Sequence, residues 1–158
     1  MRFSAKVGCS LLAVIAVAAA QVNASGPNPE TVVVSAPVAV LVRPILDEES
    51  EAGPHDQRRL GNLLYELTKK KGPAVDEALV VLMCFYVGES QEEVDAVILR
   101  GKRMLPLLRK YEDKKPVVPG RTYPDSMLKG ALSKSNAFQG AARAIQHGWK
   151  STADNPGE

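Results

Sequence analysis

Two histidines, two cysteines and a few helix-borne carboxylates are the side chains of this chain with reactive potential. His55 stands between Pro54 and Asp56, and His147 sits in the run Gln146-His147-Gly148-Trp149. A metal centre needs three or four converging ligands. His55 with Asp56 supplies two, so no metal site is expected. His147 reads as a side chain near a helix C-terminus, where positive charge suits the helix dipole. Cys84 lies inside the unbroken apolar run Ala78–Val87 and reads as a buried, inert thiol rather than a nucleophile. Carboxylate-pair catalysis requires two acids in one cleft with separated pKa values. Glu66, Asp76, Glu77 and Glu93 are available, and each reads as helix-surface or first-turn charge. No HExxH, paired CxxC, GxSxG, GxxxxGKS/T or GxGxxG pattern occurs. The chain is therefore expected to work without catalysis and without a cofactor.

The elements that must carry these residues follow from periodicity. Leu60, Leu63, Leu64 and Leu67 recur at helical spacing. Lys69, Lys70 and Lys71 then suit the negative end of that helix, and Gly72 stops it. Pro73 fits a first helical position, with Asp76 and Glu77 in the first turn. The run to Val87 that follows is apolar on every side, which predicts a buried central helix ending at Gly88, with a buried strand as the rival. Ser90-Gln91-Glu92-Glu93 reads as a capping box. It opens a helix whose seam is Val94, Val97, Ile98, Gly101, Met104, Leu105, Leu108 and Tyr111, kinked at Pro106. A loop over 114–123, a short helix over 124–132 and a last helix over 136–150, burying Phe138, Ala141, Ala142, Ile145 and Trp149, complete the pattern. The predicted fold class is all-α, a compact bundle of about five helices over residues 55–150. Residues 25–54 are rich in Pro and Val and read as a flexible or extended arm, because Pro37 and Pro44 argue against a long helix. Residues 151–158 read as a disordered tail.

Residues 1–24 have the form of a signal peptide. Arg2 and Lys6 precede an apolar run of about 14 residues, shorter than the ~20 needed to cross a bilayer, and Val22-Asn23-Ala24 offers a cleavage site. Export without a transmembrane segment is therefore expected. Arg2 and Lys6 are also the two charges by which the 20 basic residues exceed the 18 acidic ones. The mature chain is thus formally neutral, which argues against nucleic acid as a partner. Cys9 belongs to the leader, so Cys84 has no internal disulfide partner. Charge is unevenly spread: six acids against Arg43 over 30–56, and seven bases against Asp125 over 114–150. The densest cationic cluster is Lys69, Lys70 and Lys71 with Arg100, Lys102 and Arg103. With Trp149 as an aromatic anchor, these residues are candidate contacts for a protein partner or, weakly, for an anionic lipid surface. A solvated helix face is the plainer account of the same charges.

A leader beginning Met1-Arg2-Phe3, a Val/Ala/Pro-rich stretch, the element Arg58-Arg59-Leu60-Gly61 and a cysteine-poor helical domain resemble the secreted RXLR-type effectors of oomycete plant pathogens. Gly61 stands where that motif has arginine, and the acidic cluster Asp47-Glu48-Glu49-Ser50-Glu51 precedes the motif instead of following it. The resemblance implies delivery into host plant cells, to the cytoplasm or nucleus, and interference with immunity by binding host proteins. A reducing destination would also account for the missing disulfides. The alternative is a bacterial periplasmic helical binder, such as an immunity protein, or a cell-envelope hydrolase.

Overall fold

The computed structural model describes residues 30–51, 57–88 and 91–148. The proposed leader, the Ser90 of the capping box, His55, Trp149 and the tail lie outside these described residues. Among the described residues the chain is mostly helical, as its pattern predicts. The elements are β1 (Thr31–Val33), α1 (Ala36–Glu51), α2 (Gln57–Lys69), α3 (Pro73–Leu82), α4 (Glu92–Arg100), α5 (Leu105–Tyr111), β2 (Lys115–Val117) and α6 (Ala131–Gln146). No described helix is long and apolar enough to cross a membrane.

The largest departure from expectation is α1, a 16-residue helix in the stretch read as an arm. Its buried face is Val38, Ala39, Val42, Ile45 and Leu46, at helical spacing, packed against α3 and α2. Pro37 occupies the second helical position, where a missing N–H costs nothing. Pro44 lies in the interior but on the exposed side, with Val40 one turn before it. The carbonyl that Pro44 leaves unpaired therefore faces solvent. An interior proline costs about 3 kcal/mol, whereas each buried Val, Ile or Leu contributes roughly 1.5–3 kcal/mol. Burial wins. Just before α1, β1 pairs in parallel with β2 in the register Thr31↔Lys115, Val32↔Pro116 and Val33↔Val117.

Residues Ala78 to Phe85 are all inaccessible and form the centre of the core, as the apolar run requires. The helix itself ends at Leu82, five residues before the expected end. Cys84 and Phe85 donate to the carbonyls of Val81 and Leu82, three residues back, which tightens the last turn. Beyond it Phe85 bridges Leu128, Tyr86 N–H donates to Met127 O at 2.7 Å, and Lys129 N–H donates to Cys84 O at 2.9 Å. Strand-like pairing thus takes over from the helix in mid-run.

The expected long kinked helix is two helices. Gly101, at φ 72°, stops α4, a 3-10 turn spans Gly101–Met104, and Pro106 falls in the first turn of α5, where proline is accommodated. The seam residues Val94, Val97, Met104, Leu108 and Tyr111 are buried as predicted. The short helix over 124–132 is a single 3-10 turn, Asp125–Met127, and α6 starts five residues earlier than expected. Buried Lys134 donates to Lys114 O at 2.7 Å and Tyr111 O at 3.2 Å, closing the carbonyl end of α5.

Candidate interaction surface

Three helix ends meet at the cationic cluster. Asp76, in the first turn of α3, is ion-paired with Arg100 and is also gripped by Arg103, whose Nε lies 3.1 Å from Asp76 Oδ2. The Arg100 side chain is 9% exposed. It also donates to Thr68 O at 3.0 Å and Lys70 O at 2.7 Å, carbonyls that α2 leaves unpaired at its C-terminus. One guanidinium therefore joins the end of α2, the start of α3 and the end of α4. This corrects the reading of Arg100 as a surface contact and of Asp76 as solvated first-turn charge: both are structural.

The remaining bases divide in two. Lys69 lies 3.3 Å from Glu66 and 3.8 Å from the centre of the Tyr65 ring. Lys70, Lys71 and Lys102 are exposed and carry no ion pair among the described residues. Lys70 and Lys71 border a groove between α2 and α4 whose floor includes Thr68, Ala96 and Arg100 and whose far side carries Glu92 and Asp95. Tyr65 and Leu99 line the same groove and are 54% and 68% exposed. Lys102 and Arg103 lie within the 3-10 turn Gly101–Met104. The clasp fixes the backbone from which these side chains project. Tyr65 and Leu99 were missed in the sequence, since each interrupts an otherwise polar helix face only once.

The other sequence candidates fall elsewhere. Arg58, Arg59, Leu60 and Gly61 form the first turn of α2. Leu60 is buried against the rest of the core, and Arg59 is 3.1 Å from Glu48 of α1. In this helical state only the two arginines are open to a receptor. Tyr111 is wholly buried, and its hydroxyl donates to Glu77 Oε1 at 2.6 Å. Burial alone would raise the Glu77 carboxyl, but hydrogen bonds from Lys110 and Tyr111 outweigh it and hold the group below its ordinary range. Glu93 is buried beside Lys129, with 3.6 Å between Oε1 and Nζ, which corrects its reading as surface charge. Glu66 is exposed, as expected. Among the described residues Glu77 is held by Lys110 and Tyr111 and Glu93 by Lys129, with no partner in common. Among the described residues no three His, Cys, Asp or Glu side chains gather as a metal site.

Cys84 is buried, and burial pushes its thiol up to about 12, against the weaker opposing effect of Lys134 and Lys129. It is expected to resist a thiol reagent in the native protein at about pH 8 and to react once urea unfolds the chain. Peptide mass mapping checks this, and rapid native labelling at Cys84 would place the thiol at the surface. Comparisons with family models, with curated proteins and with solved structures find no match to this chain.

Proposed function

We propose that this chain is a non-catalytic binding protein that docks an acidic partner protein on the α2–α4 face. On the RXLR-type resemblance it is an exported effector, and that partner is a host immune protein. One observation carries the docking surface. After Asp76 has engaged Arg100 and Arg103, Lys70 and Lys71 carry no ion pair among the described residues and border the groove that exposes Tyr65 and Leu99. An aromatic and an aliphatic anchor, rimmed by charge on a rigid backbone, is the arrangement from which interface hot spots are built. The lysines would steer an acidic surface towards the groove and set its orientation.

The test uses tagged protein expressed in leaf cells, with suppression of cell death and recovery of a specific partner as readouts. Lys70→Glu/Lys71→Glu/Lys102→Glu is expected to change stability by no more than about 1.5 kcal/mol, about 0.5 for each exposed site, while abolishing partner recovery. Tyr65→Ala should weaken recovery by about tenfold or more. A partner held equally well by the triple variant, or no specific partner at all, would remove this reading.

A further inference from the structure

The way α6 ends aims the chain that follows it. Gly148, at φ 65°, lies in the left-handed region. Its N–H donates to Ile145 O at 3.4 Å, and His147 N–H donates to Arg143 O at 2.9 Å. A left-handed glycine past the last turn, with its N–H returned to the carbonyl three residues back, is the Schellman form of helix end. In that form the residue after the glycine bonds the carbonyl five residues before it and sets an apolar side chain against the same turn. Here that residue is Trp149 and that turn carries Ala144. Ala144 lines a groove of about 830 Å³ between α4 and α6, whose apolar wall includes Val94 and Ile98 of α4. Gly140, one turn behind Ala144, lines it too. Beyond its chain neighbours and its own helix backbone, nothing lies within 4 Å of where a Cβ on Gly140 would stand. The rim is polar and exposed, with Asp95 on α4 and Arg143 and His147 on α6.

We propose that the occupant of this groove is the chain's own C-terminal segment, with the Trp149 indole laid over Ala144 and Gly140 against Val94 and Ile98. The described chain stops at Gly148, next to His147 on the rim, so Trp149 enters with no linker to span. Ala144 and Gly140 stand about 6 Å apart along the helix axis, and their small side chains leave the room that a large ring fills. Residues 149–158 carry one aromatic side chain, followed by mostly polar residues. An indole is apolar over most of its body with one N–H at its edge, which matches an apolar groove under a polar rim. The residue read from sequence as a partner anchor then acts within the chain, and partner contact is left to the α2–α4 face.

Trp149 is the sole tryptophan, so indole fluorescence of the full chain reads this site alone. The native protein is expected to emit at shorter wavelength than the urea-unfolded chain and to be quenched several-fold less by acrylamide. Gly148→Val forbids the left-handed turn but lies past the last helical turn. Its thermal transition should stay cooperative while emission and quenching move towards the unfolded values. Gly140→Leu fills the groove and should release the indole in the same way, at a helix position that gains a better helix former. In labelled protein, Trp149→Ala should shift the resonances of Gly140 and Ala144 through loss of the ring current and leave those of α2 in place. Native emission and quenching equal to those of the unfolded chain would overturn the proposal. So would native values unmoved by both Gly148→Val and Gly140→Leu. Protection that rises with protein concentration would seat the indole in a second copy and overturn it too.

Discussion

Asp76→Ala is expected to destabilise the protein by about 3–5 kcal/mol, although it removes no apolar contact. The carboxylate is the shared counter-charge of Arg100 and Arg103, and its side chain and that of Arg100 are both largely buried. Arginine cannot discharge itself by losing a proton. Without Asp76, Arg100 stays charged at the junction of three helices, with only the carbonyls of Thr68 and Lys70 to stabilise it. Urea unfolding measures the loss as a lower midpoint at unchanged slope. The double variant Asp76→Ala/Arg100→Met separates lost attraction from stranded charge. It is expected to recover part of the loss, because the uncompensated guanidinium goes with its partner. A change within about 0.5 kcal/mol for Asp76→Ala, the range of ordinary surface substitutions, would show that the clasp does not hold the junction.

This clasp shows where sequence reading stops. Arg100, Arg103 and Asp76 are visible in the sequence as charges, and Lys69, Lys70 and Lys71 border one groove with Arg100 and Arg103. Periodicity says which face of a helix is apolar but not which helix end meets which. The pairing of residues 24 and 27 positions apart therefore had no local signal. The same holds for Glu93, whose capping-box position suggested a solvated first turn, whereas it is buried beside Lys129, 36 positions on. The central core was legible, because Ala78–Phe85 has no polar side chain and can only be interior. The helix end within that run was not, because Leu82 to Val87 has no glycine or proline to mark it. Its end is set by backbone pairing with residues 127–129, which is non-local.

Removal of α1 is expected to abolish cooperative folding altogether. Its inward Val38, Val42, Ile45 and Leu46 contribute roughly 6–12 kcal/mol of burial before entropy is counted, comparable with the whole net stability of a small domain. They cover α3, whose stretch Ala78–Leu82 is wholly buried and apolar and would be laid open in their absence. A chain beginning at Gln57 should therefore show no sharp thermal transition and should expose apolar surface to dye. Point substitutions give the graded form of the test. Leu46→Ala, at a fully buried site, is expected to cost about 2–5 kcal/mol, and Val40→Ala on the exposed face no more than about 0.5 kcal/mol. The contrast between the two distinguishes a packed helix from a flexible arm, since an arm would tolerate both alike. The proline rule misled here because it sets a cost without saying on which side the unpaired carbonyl falls. Pro44 spends that cost towards water, and the opposite side of the same helix carries the burial that outweighs it.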